Sequence, residues 1–93
     1  MELAENRLNR VKKMLEIGCP PDEALREEIG GLRMAQEIIK TPSVGKKIQA
    51  ESKCLLPQYR ESISHILDLH PQAKEGLSAT TAQLVGDFLN STG

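Results

Sequence analysis

Apolar residues recur along most of this chain at intervals of three and four, the signature of helices that bury one face. Ala4, Leu8, Val11 and Leu15 form the first such stripe. It predicts a helix from Glu2 to about Ile17. Glu2 and Glu5 then sit at the positive end of the helix dipole, and Lys12 and Lys13 near its negative end. Gly18 suits the residue just past the helix, and Pro20 blocks continuation. The second stripe is Leu25, Ile29, Leu32, Ala35 and Ile39, widened by Met34 and Ile38. It predicts a helix over Pro21 to Lys40, with proline, Asp22 and Glu23 in the first turn. Gly30 and Gly31 stand in its middle, where two glycines cost about 2 kcal/mol against two alanines. The stripe keeps phase across the pair, so the helix is expected to continue, straight or slightly bent.

Thr41-Pro42-Ser43 ends that helix, and Ser43 is the expected N-cap of a third. The third runs from Val44 to about Leu56, with Val44, Ile48, Cys54, Leu55 and Leu56 as its apolar set. Pro57 either kinks a longer helix or sits in the first turn of the next one. The expected fourth helix covers Pro57 to about Leu69, with Tyr59, Ile63, Ile66, Leu67 and His70 on one face. Pro71 stops it, and residues 72–76 suit one further turn. Ser78 reads as an N-cap, with Leu77 placed to pack on Ala82. The last helix spans Ala79 to Leu89, with Leu84 or Val85 turned inward beside Phe88 and Leu89. Ser91 to Gly93 are expected to fray. No stretch alternates apolar and polar residues over a strand's length, and Tyr59 and Phe88 are the only aromatics. These patterns predict an all-α fold, a small bundle of four to five short helices. The connections are short, so neighbours are mostly antiparallel, and the 93 residues make one domain over 1–93.

Charge narrows the function. The net charge is −1. Residues 1–47 carry nine Lys/Arg against eight Asp/Glu, and residues 48–93 three against five. A general nucleic-acid binder shows a basic excess, so nucleic acid is a disfavoured partner. Cys19 and Cys54 have no paired spacing and read as reduced thiols of an intracellular protein, cytoplasmic or nuclear. The charged N-terminus lacks a signal-peptide core, and no apolar run approaches the roughly 20 residues of a membrane span.

Catalysis needs ionisable groups that converge, and the candidates here do not. His65 and His70 are five apart, a spacing that does not chelate as an i, i+4 pair does. Cys19 follows a helix and gains no dipole activation, while Cys54, within an apolar run, reads as core. Gly45-Lys46-Lys47 lacks the first glycine and the Ser/Thr of a phosphate-binding loop. No enzyme activity, cofactor or metal is therefore expected. Lys40, Ser43, Lys46 and Lys47, with Lys53 nearby, gather around the expected start of the third helix and are candidate contacts for an anion or acidic partner. Thr41-Pro42 is a weak phosphorylation signal. Glu75 to Asn90 superficially resembles the second half of a helix-turn-helix. His70-Pro71 interrupts the helix before it, and the last helix carries Asp87 with no Lys or Arg, which makes it a poor reader of DNA.

Over residues 32–60 the chain is similar to the N-terminal helical domain of the TFIIS transcription elongation factor. There an apolar helix leads through an Ile/Val-Gly-Lys step into another helix, here Val44-Gly45-Lys46. The tryptophan late in that pattern is absent, and no binding residue is carried over. The resemblance implies, as the alternative reading, a transcription-associated or nucleic-acid-associated regulatory domain. The residues themselves favour a non-catalytic protein–protein interaction module: an adaptor, regulatory subunit or small inhibitor. Its expected surface is the first helix, with Leu8, Val11 and Leu15 as an apolar face and Arg7, Arg10 and Lys12 as a basic rim. The partner is another protein, or a second copy covering the same stripe.

Overall fold

The structure, a computed structural model, describes residues 6–90. It is an all-α bundle. Helix α1 spans Arg7–Glu16, α2 Pro21–Lys40, α3 Lys46–Leu69 and α4 Ala79–Asn90, with a 3-10 helix at Pro71–Gly76 between the last two. The expected start of the first helix at Glu2, its acids Glu2 and Glu5, its stripe residue Ala4, and the fraying of Ser91 to Gly93 lie outside the described residues.

Local chemistry sets the ends. Asn6 caps α1, its side-chain oxygen accepting from the Leu8 N–H at 2.7 Å. At the other end Gly18 has φ +97°, a conformation that a side chain disfavours. The Cys19 N–H then reaches back to the Met14 carbonyl and the Gly18 N–H to the Leu15 carbonyl, closing a Schellman motif. Gln49 closes α2 from outside: its Nε2 donates to the Thr41 carbonyl at 2.7 Å, with the Ile39 carbonyl at 3.4 Å. The Ser78 hydroxyl accepts from the Thr81 N–H and caps α4 as expected.

The α2–α3 pair is the heart of the bundle. Glu28 meets Ser62, Gly31 meets Tyr59, and Thr41 meets Gln49. Residue numbers rise on one helix as they fall on the other, so the two run antiparallel. Leu25, Leu32, Ile63 and Ile66 are fully buried between them, together with Val11 from α1 and Val85 from α4. Helix α4 rests on α3 through a far smaller interface than α2 does.

Three expectations are corrected. The third and fourth helices are one, Lys46–Leu69, with Pro57 inside it. Ser52, Leu55, Leu56, Tyr59, Ser62, Ile63 and Ile66 are the inward-leaning positions, and their spacing runs unbroken past the proline, which sits on the exposed side. One continuous buried face outweighs one missing hydrogen bond. Ser43 does not cap this helix; Gly45 does, without a side-chain bond, because the helix begins two residues later than Ser43 requires. Cys54, Ile48 and Met34 are exposed rather than core, since each lies off the stripe of its helix.

Helix α2 runs unbroken through Gly30-Gly31, as its phase predicts. A Cβ added at Gly30 meets nothing within 4 Å. One added at Gly31 would lie 2.8 Å from Cζ of the buried Tyr59 ring and closer still to its hydroxyl. Gly31 is thus the site of a close helix–helix approach, and Gly30 is not. Gly30→Ala is expected to raise stability by about 0.5–1 kcal/mol through helix propensity. Gly31→Ala should lose about 1–2 kcal/mol net, overpacking outweighing the same propensity gain. Urea midpoints of the two variants shifting in the same direction would contradict this assignment.

Candidate functional site: the groove between α3 and α4

The face expected on α1 is turned inward. Val11 is fully buried and Leu15 packs half-buried against the core, with Leu8 half-buried beside them. Arg7, expected on a basic rim, points into the bundle. Its Nε donates to Oε1 of Glu28 at 3.2 Å and its Nη2 pairs with Oε2 of the same carboxylate, which is fully buried. The Ser62 hydroxyl donates to Glu28 Oε1 at 2.7 Å, and the Arg7 guanidinium lies 5.2 Å from the centre of the Tyr59 ring. The hydrogen bond to Glu28 raises the Arg7 pKa above its already high ordinary value, against the opposing effect of burial. Of the remaining rim, Arg10 lies 3.7 Å from Glu27 in an exposed pair, and Lys12 is exposed. This cluster fastens α1 to α2 and α3.

The second candidate set, Lys40, Ser43, Lys46 and Lys47, is exposed along the α2–α3 connection and the first turn of α3. Lys53, grouped with them by sequence, belongs to a different place. It lines a groove of about 690 Å³ between α3 and α4, with Gln36 of α2 also contributing.

Two helix faces build that groove. Lys53, Leu56, Pro57 and Arg60 lie at i, i+3, i+4 and i+7 on α3. Thr80, Gln83, Leu84, Asp87 and Phe88 repeat the same spacing on α4. The α3 face has an apolar middle between two cations, the α4 face sets Leu84 and Phe88 among Thr80, Gln83 and Asp87, and the α3–α4 contact is slight. Gln83 Nε2 donates to Asp87 Oδ1 at 3.0 Å across one turn of α4. Arg60 lies over the Phe88 ring, 5.4 Å from its centre. Its Nε is buried and has no hydrogen-bond partner. Neither Lys53 nor Arg60 makes an ion pair among the described residues.

The volume falls within the ordinary range for ligand sites, about 300–1,000 Å³. No histidine, cysteine or paired carboxylate lines it. It offers leucine, proline and phenylalanine surface, two cations, one carboxylate, a hydroxyl and amide groups. Tyr59 and Phe88 are buried in the core as expected, and of the alternatives Leu84 and Val85 it is Val85 that turns inward; Leu56 and Leu84 line the groove, which the core stripes did not reveal. The one available signal was the i+7 repeat of Lys53 and Arg60 flanking Leu56-Pro57. Elsewhere, no group of three His, Cys, Asp or Glu could hold a metal ion among the described residues, and no helix is long and apolar enough to cross a membrane. Cys19 is half-buried, Cys54 exposed, and both are free thiols. Comparison with family models, curated proteins and solved structures finds no match to this chain.

Proposed function

We propose that the chain is a non-catalytic protein–protein interaction module that docks an apolar segment of another protein in the α3–α4 groove. The observation that carries this reading is the groove of about 690 Å³ in which Leu56 and Pro57 of α3 and Leu84 of α4 line the walls, with the largely buried Phe88 beside them. An amphipathic helix or short extended segment laid there would bury apolar surface that the bundle leaves open. The α1 stripe offers less, because α2 and α3 cover it. The nucleic-acid alternative has no comparable support, since Asp87 on α4 offsets one of the two α3 cations, Lys53 and Arg60, and leaves no basic patch.

The test is selection of 12–16-residue peptides on the immobilised domain, followed by solution affinities. Leu84→Asp places a charge on the apolar floor and should weaken the selected peptides by about 100-fold or more, the equivalent of roughly 3 kcal/mol. Lys12→Glu on α1 should change affinity less than about twofold, as distant sites act independently. Peptides that bind Leu84→Asp as tightly as the parent would overturn the groove reading. Concentration-dependent dimerisation that Leu84→Asp abolishes would make a second copy the occupant.

A further inference from the structure

Arg60 stands out among the cations of this protein. A guanidinium offers Nε–H and one Nη–H side by side, a fork that matches the two oxygens of a carboxylate. Arg7 uses that edge on Glu28. Arg60 has the same edge with no acceptor: its Nε is buried, unpartnered, and stacked beside Phe88. A buried donor left unpaired is unfavourable. The Nε–H is covered in the bundle as it stands, so presenting the fork to an arriving acceptor requires the guanidinium to turn on the Phe88 ring. Lys53 lies seven residues away on the same helix face and adds a second positive charge at the same groove. Asp87, tied to Gln83, marks the α4 side as the acid-repelling one.

We infer that the groove recognises an acidic–apolar segment. A partner carboxylate of Asp or Glu takes the Nε–Nη edge of Arg60, and an adjacent apolar side chain enters between Leu84 and Phe88. This inference rests on the groove being the docking surface and specifies what enters it. The polarity is fixed: the acid lies toward α3 and the apolar anchor toward α4. An inverted segment would bring its acid against Asp87.

The experiment uses small probes, so it does not depend on knowing the partner. 4-Phenylbutyrate, 4-phenylbutyramide and 3-phenylpropylphosphonate are titrated into the ¹⁵N-labelled protein, with the Arg60 Nε–H and the backbone amides of α3 and α4 as NMR readouts. For a probe of about twelve heavy atoms, the carboxylate should bind with Kd on the order of 1 mM. It should shift the Arg60 Nε–H downfield, and the amide should bind at least about tenfold more weakly, the loss of one charged pair. In Arg60→Lys, which keeps the charge but not the fork, the carboxylate's advantage should shrink to about twofold or threefold. Carboxylate and amide binding the groove equally would overturn the acid inference and leave the groove reading standing. Neither probe perturbing α3 or α4 would remove both. A phosphonate preferred by more than tenfold would reassign the fork to phosphate and overturn the choice of carboxylate.

Discussion

Arg7→Ala is expected to destabilise the protein by about 3–5 kcal/mol, the cost of leaving a buried charge without its partner. That is a large part of the roughly 5–15 kcal/mol that holds a domain together. Glu28 is fully buried, and Arg7 supplies two of its hydrogen bonds. Without Arg7 the carboxylate keeps only the Ser62 hydroxyl. The reverse truncation is milder. Glu28→Gln keeps an oxygen for Ser62, and the guanidinium it strands is one-fifth exposed and still faces the Tyr59 ring. Its expected cost is about 1–3 kcal/mol. The double variant Arg7→Met/Glu28→Met should recover most of the loss, because an apolar pair removes both desolvation penalties. Urea unfolding of the four proteins measures this directly. An Arg7→Ala loss below 1 kcal/mol, or a double variant no better than the single one, would mean that the pair does not fasten α1.

The pH dependence of that fastening follows from the same contact. The folded-state pKa of Arg7 is raised, so its contribution is complete below the ordinary arginine value and is lost only as pH rises through the higher folded one. Through the neutral range the arginine side of the pair is constant.

How much of this was readable beforehand depends on which residues carried the signal. The C-terminal end of α1 and the starts of α2 and α4 were legible because their markers, Gly18, the Pro21 first turn and Ser78, need only their neighbours in sequence; the start of α1 was not, since Asn6, expected within the helix, is extended and caps it. The continuity of α2 was legible from phase. The continuity of α3 was hidden by two serines. Ser52 and Ser62 occupy buried stripe positions, so a reading by hydropathy sees a weak third helix, a proline and a fresh start. Counted as small residues that let helices approach, they join both halves into one face. Glu28 was hidden in the same way, lying between Leu25 and Leu32 on the buried side of α2. Arg7 was misplaced as a consequence, because its partner lies 21 residues away on another helix. The groove was illegible for a different reason. Leu84 and Val85 look alike in sequence as inward candidates, and only the fold shows that Val85 and Phe88 enter the core while Leu84 faces the groove.

Pro57 connects the hidden helix to the proposed site, and it carries the second large prediction. A proline within a helix removes one backbone bond and crowds the carbonyl four residues earlier, here that of Lys53, at about 3 kcal/mol. The residue is exposed, so nothing in the core requires it. Pro57→Ala is therefore expected to stabilise the protein by about 1–3 kcal/mol, read as a higher urea midpoint with an unchanged slope. The same ring lines the groove between Lys53 and Arg60. Its loss removes about two methylenes of apolar wall, roughly 1.5 kcal/mol or tenfold in affinity for a docked segment. A variant that is more stable and binds less tightly is the pattern of a residue kept for a site rather than for a fold. If Pro57→Ala left stability unchanged, the helix would already have relaxed around the missing bond. If it gained stability and kept full affinity for selected peptides, the α3 wall would not be the surface they touch, and the docking face would have to be sought on α4 alone.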